Sequence, residues 1–173
     1  MDMCTKMVQE RKKLEKVLEN TAFKTKEEAV VYAEAMTKII LNHQMLGLVH
    51  EYYDENIVYK TANGVKLTNL EDVVKEFLGL QCAFPDLKVY ITESFASGDE
   101  LDGFKVYQRS YCEGTNTGPS VYGPATGNKL HEMNSMGQTV YIFNKIRGKW
   151  KVVTEYSLRS QFTLEKLLKK MNC

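Results

Sequence analysis

The sequence predicts an α+β fold in a single domain that covers residues 1–173. Helical periodicity dominates the first half of the chain, and four long strand-like segments follow one another from Leu87 onward. No internal repeat, low-complexity linker or change of composition divides the chain. Helices gathered early and strands gathered late favour a curved antiparallel sheet with the helices packed on one of its faces.

The N-terminal segment, residues 1–20, is expected to be a helical extension of this domain. Met7, Leu14 and Leu18 fall near one face of a helix, and charged residues fill the other faces. We therefore predict an amphipathic helix that lies on the body of the domain or on a partner chain.

Two further helices begin at capping-box patterns. Thr25 with Glu28 opens a long helix, and Thr68 with Glu71 opens another, which Pro85 ends. Between these helices, "NIVYKT" alternates like a strand and leads into an Asn-Gly turn.

The second half of the chain is predicted to form strands because it is rich in Val, Ile, Tyr and Phe. The four segments are "LKVYITESF", "GFKVYQRSYCEG", "KLHEMNSMGQTVYIFNK" and "GKWKVVTEYSLRS". The link "IRGK" predicts a tight hairpin between the last two segments, and "TLEKLLKKM" returns to helical spacing.

A long loop, "YCEGTNTGPSVYGPATGNKL", joins the second of these strands to the third. The whole chain has 11 glycines and 3 prolines, and this loop holds an unusual share of both. Glycine permits sharp turns and proline stiffens the chain. The loop is therefore either the rim of a pocket, a contact between subunits, or a wide connector.

The composition and charge are those of an ordinary globular chain. Apolar residues make up 43% and charged residues 26% of the sequence, and the formal net charge is +1. This balance argues against nucleic acid as the main partner, because phosphate binding needs a basic surplus. No segment has the apolar length of a membrane span or of a signal peptide, so we expect a cytoplasmic protein without membrane contact.

No metal site is predicted. His43 and His50 are seven residues apart, whereas metal-binding histidines on a helix prefer a spacing of four. The cysteines are scattered without a Cys-x-x-Cys pair, which predicts reduced thiols and no zinc motif. They are Cys4, Cys82, Cys112 and Cys173.

A series of short motifs runs through the strand-rich half. They are the Phe84-Pro85-Asp86 turn, the Gly98-Asp99 hairpin turn, the strand residue Arg109, the loop Gly114-Thr115-Asn116-Thr117-Gly118, and Pro124-Ala125-Thr126-Gly127. In this order and spacing they resemble the SnoaL-like branch of the NTF2-like superfamily, which includes polyketide and ester cyclases. The resemblance spans roughly Val49 to Met171 and leaves the N-terminal extension outside.

The resemblance implies a cone, in which a strongly curved sheet is wrapped by helices around an apolar pocket. It further implies a small apolar ligand, a dimer formed through the outer face of the sheet, and acid/base chemistry on an enolisable ketone without metal or other cofactor. The acid would be a buried carboxyl group with a raised pKa, next to a hydrogen-bond donor for the enolate. Because the superfamily also contains non-catalytic modules, a small-molecule-binding or self-association domain is the alternative.

The last predicted strand departs from the family pattern. The family acid is usually an aspartate on or just after this strand, and "WKVVTEYSLRSQFTLEKLL" contains none. Glu155 is the carboxylate on the strand and is the first catalytic candidate. Regular alternation puts Glu155 with Lys151 on one face and Trp150 with Val152 on the other, more apolar face. Glu155 is thus predicted to point outward unless a β-bulge reverses the alternation.

Two other catalytic candidates lie on the long third strand. His131 and Glu132 are adjacent, so alternation turns them to opposite faces and only one of them meets the pocket. Glu132 would join Gln138 in an acid/base site, whereas His131 would join Ser135 and Tyr141 in a site that offers donors. The sequence leaves both alternatives open.

Four residues are candidates for binding the ligand. Tyr53 belongs to a group of aromatic residues that would form either a pocket wall or ordinary core. Arg109 is either a donor to a ligand anion or one half of a cross-strand ion pair. Asn116 stands where the family loop carries a histidine, and Gln138 would donate a hydrogen bond to an enolate.

Overall fold

A computed structural model describes residues 2–169 of the chain. The helices are α1 (Met3–Leu18), α2 (Lys26–Leu41), α3 (Val49–Tyr52), α4 (Leu70–Ala83), α5 (Glu132–Ser135) and α6 (Gln161–Leu168). The strands are β1 (Tyr53–Thr61), β2 (Lys66–Leu67), β3 (Lys88–Asp99), β4 (Gly103–Thr115), β5 (Lys129–Leu130), β6 (Gly137–Ile146) and β7 (Lys149–Arg159). None of the helices within the described range combines the length and the apolar character that crossing a membrane requires.

The strands form one curved sheet in the order β2-β1-β7-β6-β4-β3, and β5 pairs with β4. Neighbouring strands are antiparallel except β1 and β7, which run parallel. The early helices cover one face of the sheet. The predicted α+β class, with a curved sheet wrapped by N-terminal helices, is confirmed.

Helix α2 begins at the capping box that the sequence predicts. Thr25 Oγ1 accepts a hydrogen bond from Glu28 N at 3.2 Å, and the Glu28 carboxylate accepts one from Thr25 N at 3.2 Å. The buried residues of α2 are Ala29, Tyr32, Ala33, Ala35, Met36, Thr37, Ile39 and Ile40. They recur at helical spacing, so one side of the helix packs against β3 and β4.

An aromatic cluster fills one end of the cone. Its rings belong to Phe23, Tyr32, Phe104, Phe143 and Trp150. Phe23 stacks on Trp150 with ring centroids 5.1 Å apart, and Trp150 Nε1 donates to Phe23 O at 2.8 Å. Three of these rings come from the ends of β4, β6 and β7 that lie nearest the hairpin turns. These buried rings pack the sheet against the early helices at this end of the interior.

Helix α4 begins at a different cap from the one predicted. Asn69 is the N-cap residue, and its Oδ1 accepts a hydrogen bond from Asp72 N at 2.9 Å. The predicted pairing of Thr68 with Glu71 is wrong, because Asn69 is itself a favoured N-cap and moves the start of the helix by one residue. The helix ends at Ala83, just before Pro85.

The segment predicted as one long third strand is divided into β5, α5 and β6. His131 N donates to Asn134 Oδ1 at 2.9 Å, and Ser135 N donates to His131 O at 3.0 Å. These local hydrogen bonds close a helical turn in place of a strand ladder. The predicted alternation of His131 and Glu132 along a strand is therefore wrong.

Helix α1 is the predicted N-terminal extension, and it packs against α2. Leu18 is buried, and Leu14 and Val17 pack against the main core, whereas Met7 is exposed. The C-terminal half of α1 therefore lies on the body of the domain. At the opposite terminus, Met171 and Cys173 lie outside the described residues.

Candidate active site

A cavity of about 600 Å³ lies between the sheet and helices α2, α4 and α6. Its apolar lining includes Ile40, Leu41, Phe77, Leu80, Val89, Leu130, Leu164 and Leu168. The polar groups on the sheet wall are Tyr53, Tyr59, Thr61, Ser110, Thr139, Tyr141, Glu155, Ser157 and Arg159. A mostly apolar space of this volume with a few convergent polar groups is typical of a small-molecule site.

Glu155 points into this cavity, contrary to the prediction from regular alternation. Val152 and Thr154 pair with two adjacent residues of β6, so Val153 is an extra residue on β7. Such a β-bulge reverses the alternation of side chains. Trp150 is buried before the bulge and Glu155 is buried after it.

Three tyrosines surround the Glu155 carboxyl group. The Tyr53 hydroxyl donates to Glu155 Oε2 at 2.7 Å. Tyr59 on β1 and Tyr141 on β6 are the neighbours of Glu155 across the sheet on either side. Glu155 is 3% exposed, and burial raises the pKa of its carboxyl group to about 7, although the Tyr53 hydrogen bond and the charge of Arg159 act in the opposite direction.

The tyrosine hydroxyls keep their protons at neutral pH. Burial, reinforced by the nearby Glu155 carboxylate, raises the pKa values of Tyr53, Tyr59 and Tyr141. The Tyr141 hydroxyl also lies 3.0 Å from Thr37 Oγ1 on α2. The wall around Glu155 is therefore a set of hydrogen-bond donors held by two strands and a helix.

Arg159 lies on the same wall, four residues beyond Glu155. Its guanidinium donates to Ser110 Oγ at 2.6 Å, to Ser110 O at 3.3 Å and to Ser135 O at 2.7 Å. Gly137 is its register partner on β6, and a Cβ at Gly137 would overlap the Arg159 side chain. The missing side chain at Gly137 leaves the space in which the Arg159 stem lies on the sheet.

The long loop forms part of the cavity rim. Its lining residues are Pro119, Ser120, Val121 and Tyr122. Gly118 lets the loop approach α4, because a Cβ there would overlap Cys82 O. Positive φ angles occur further along, at Gly123 and Gly127. The rim interpretation of this loop is the one that matches its position.

Asn116 braces this rim and does not line the cavity. It is 1% exposed, its Nδ2 donates to Ala83 O at 2.8 Å, and its Oδ1 accepts from Thr126 N at 2.8 Å. These bonds tie the loop to the end of α4 and to itself. The predicted role of Asn116 as a ligand contact therefore gives way to a positioning role.

Arg109 and Gln138 lie on the outer face of the sheet, where they are register partners. Arg109 Nε is 3.7 Å from Glu93 Oε2, so the cross-strand ion pair is the alternative that the structure supports. Their neighbours Gln108 and Thr139 face inward, and alternation turns Arg109 and Gln138 away from the cavity. Neither residue is in a position to bind a ligand there.

His131 and Glu132 also lie outside the cavity. Both are exposed at the start of α5. The helical turn directs Ser135 toward the interior in their place, where it lines the cavity beside Thr139 and Tyr141. Of the predicted site residues, the structure thus brings Glu155 and Tyr53 together.

Arg159 is the residue that the sequence analysis missed. The sequence indicates Arg159 as a cavity residue only if the bulge is known. Once Glu155 faces inward, alternation places Ser157 and Arg159 on the same face. Nothing in the sequence marks Val153 as an extra residue.

No group of three metal-ligating side chains occurs within residues 2–169. Cys82 and Cys112 line the cavity, and burial raises the pKa of the Cys112 thiol. Cys4, Cys82 and Cys112 are free thiols, and Cys173 lies outside the described residues.

Among solved structures, a candidate SnoaL-like polyketide cyclase from Jannaschia sp. CCS1 matches with a TM-score of 0.58 and 12% identity, over 78% of this chain and 89% of that one. AclR, a candidate hydroxylase from Streptomyces galilaeus, matches with a TM-score of 0.57 and 21% identity, over 77% and 89% of the two chains. A candidate ketosteroid isomerase from Shewanella frigidimarina matches with a TM-score of 0.51 and 13% identity, over 70% and 87%. At these identities the likeness establishes the fold.

Two sequence comparisons were informative about the family of this chain to different degrees. Comparison with curated proteins gave no match. The family model described as SnoaL-like polyketide cyclase matches residues 30–162, which include most of α2, the whole sheet and most of the residues that line the cavity, but not α1. Because that match covers well over half of the chain and agrees with the fold, the protein belongs to the SnoaL-like polyketide cyclase family.

Proposed function

We propose that this protein is a cofactor-independent acid/base enzyme, a cyclase, isomerase or hydratase, that acts on a small apolar carbonyl compound. The observation that carries the proposal is the position of Glu155. Its carboxyl group is almost fully buried on the wall of a cavity of about 600 Å³, and burial raises its pKa to about 7. A general acid/base is most effective when its pKa lies near the working pH.

The first step would be the removal of a proton from the carbon next to the ligand carbonyl. The C–H bond breaks, the proton goes to a Glu155 carboxylate oxygen, and the electron pair moves onto the carbonyl oxygen to form an enolate. Tyr59 and Tyr141, which flank Glu155 in the sheet and keep their protons, are the donors available to that oxygen. Tyr53 holds the carboxylate in place through its 2.7 Å hydrogen bond.

The second step returns the proton. In an isomerisation, Glu155 delivers it to a different carbon of the same ligand. In a cyclisation, the enolate carbon attacks a second carbonyl carbon, and the proton goes to the new alkoxide. Either course regenerates the Glu155 carboxylate, so no metal or redox group takes part in the balance.

The proposal is tested with 1-tetralone, an apolar ketone with an acidic C–H group. Exchange of that hydrogen in D₂O, followed by NMR, should be faster with the protein than in buffer. The rate should rise with pH through about 7 and then level off, because the carboxylate form of Glu155 is the base. Glu155→Gln should slow exchange by about 100-fold or more.

Glu132→Gln is the matched control, because it removes an exposed carboxylate outside the cavity and should leave the rate unchanged. Equal rates of hydrogen exchange with the wild-type protein and with Glu155→Gln would contradict the acid/base proposal. If 1-tetralone then still bound, the alternative of a non-catalytic binding module would take its place. The Tyr53 hydrogen bond favours that alternative, since it satisfies Glu155 without a ligand.

A further inference from the structure

Arg159 stands out among the charged groups of the cavity. The other basic residue in the lining is Lys75, whose Nζ is bonded to Asp72 Oδ1 at 2.8 Å and whose side chain is 73% exposed. Arg159 is half-buried, and no Asp or Glu among the described residues lies within ion-pair distance of it. A buried cation is normally paired with an anion, because leaving water is costly for an isolated charge.

The hydrogen bonds of Arg159 fix its position but do not neutralise it. Its three acceptors, Ser110 Oγ, Ser110 O and Ser135 O, are uncharged oxygens. A guanidinium carries five N–H groups, which is more than these bonds use. The sheet is shaped to hold the side chain here, because Gly137 leaves the space for its stem. The result is a positioned donor set that carries a positive charge on the wall of a largely apolar cavity, where that charge also favours the ionised form of Glu155 without an ion-pair contact.

We propose that Arg159 is the anion-recognition residue of the cavity, and that the natural ligand is an apolar keto acid whose carboxylate binds the Arg159 guanidinium while its ketone lies at Glu155. The planar fork of a guanidinium matches a carboxylate in two-pronged geometry. This inference rests on the proposed function, since it names the substrate class of the same cavity.

The strand geometry also sets the spacing within the ligand. Glu155 and Arg159 are four residues apart on one strand and face the same side, which puts their Cα atoms about 13 Å apart. Both side chains reach into the cavity from there. We therefore expect a ligand that meets both groups to carry its carboxylate several bonds away from its acidic carbon.

The test compares two probes by isothermal titration calorimetry at a pH where the carboxylic acid is ionised. One probe is a naphthyl ketone joined to a carboxylate through three methylene groups, and the other is its methyl ester. The wild-type protein should bind the acid at least about tenfold more tightly than the ester, because charge-assisted hydrogen bonds are the stronger ones. Arg159→Met should bring the ratio close to one through loss of acid binding, with the affinity for the ester kept.

Arg109→Met is the matched control, because it removes an arginine from the outer face and should preserve the acid preference. Retained ester binding shows that the cavity of Arg159→Met is intact. If that variant does not fold, Arg159→Lys is the substitute, because it keeps the positive charge but loses the planar guanidinium. Its preference for the acid should be weaker than that of the wild-type protein but greater than one. Absence of binding by both probes, equal affinities in the wild-type protein, or a preference that survives both Arg159 substitutions would overturn the inference.

Glu155→Gln separates this inference from the proposed function. It should keep the preference for the acid while losing hydrogen exchange at the ketone. Loss of the preference in Arg159→Met without any exchange by the wild-type protein would leave anion recognition standing and remove the enzymatic role. If exchange depends on Glu155 but the wild-type protein shows no preference for the acid, the enzymatic role would stand and anion recognition by Arg159 would be removed.

Discussion

Glu155 is held in the cavity at a cost to the stability of the folded protein. The Tyr53 hydroxyl donates one hydrogen bond to it, at 2.7 Å, and the Arg159 charge favours its ionised form. These contributions do not cancel the loss of water, since burial still raises the pKa to about 7. A group that destabilises the fold and yet sits on a cavity wall is more easily understood as part of a functional site than as part of the core.

The pH dependence of stability tests this burial directly. The pKa of Glu155 is about 7 in the folded protein, against an ordinary value of 4.5. Between these values the unfolded chain has released the proton that the folded protein keeps. The contribution of Glu155 to the free energy of unfolding therefore falls as pH rises from about 4.5 to about 7, by about 3 kcal/mol.

Glu155→Gln removes this titration. The free energy of unfolding of the variant relative to that of the wild-type protein should therefore be higher above about pH 7 than at acidic pH. Urea denaturation at about pH 5 and about pH 8 measures the difference at both ends of the range. Glu132→Gln controls for the loss of a carboxylate elsewhere. A stability difference between Glu155→Gln and wild type that stays constant over this range would contradict the prediction.

The elements of the fold follow local signals wherever a single signal is present. The capping box at Thr25 sets the start of α2, and Pro85 lies two residues beyond the last residue of α4. Where two signals compete, as Thr68 and Asn69 do at the start of α4, the predicted N-cap differs from the observed one by one residue. In β7, one extra residue at Val153 decides which side chains enter the cavity.

Substitutions at the start of α4 distinguish its two candidate caps. Asn69→Ala should lower the free energy of unfolding by about 1 kcal/mol, because the side chain satisfies Asp72 N. Thr68→Ala should change it by less than about 0.5 kcal/mol, because Thr68 is exposed and does not cap the helix. Urea denaturation of the two variants gives the answer, and the opposite order of effects would restore the Thr68–Glu71 box.

At the scale of the whole molecule, the sheet has one face around the cavity and one face turned outward. The outer face carries an apolar row, in register across four strands, of Phe95, Tyr107, Val140 and Tyr156. Phe95 stacks on Tyr107 with centroids 4.8 Å apart, although Phe95 remains 55% exposed. The dimer expected from the family resemblance stays a prediction, and this row is the surface we expect a second copy to cover.

Sedimentation velocity tests the predicted dimer. The wild-type protein should sediment as a dimer, and Tyr107→Lys should shift it toward monomer, because a lysine in the middle of the row would lose its water on association. Leu101→Lys, at a residue that is 95% exposed in the turn between β3 and β4, is the control and should remain dimeric. A wild-type protein that is monomeric at all concentrations would remove the prediction.

The sequence by itself determined the α+β class, the N-terminal helix and the start of α2, and it named Glu155 and Tyr53 among its candidates, although regular alternation turned Glu155 outward. The class and the helices follow from periodicity and from caps, which depend on residues a few positions apart, whereas Glu155 became a candidate through the family resemblance. The same rules also carried Arg109 and Gln138 into the candidate site, because alternation gives two faces without saying which one is covered.

Only the tertiary structure decided which face of each strand meets the cavity. The bulge at Val153 turns Glu155 and Arg159 inward, and it lies in the pairing of β7 with β6, two segments that only the fold brings together. The bracing of Asn116 likewise depends on groups that the fold brings together, because its partners lie at the end of α4 and further along the loop. A shift of one residue in pairing reverses a whole strand, and pairing is fixed by contacts between segments far apart in the chain.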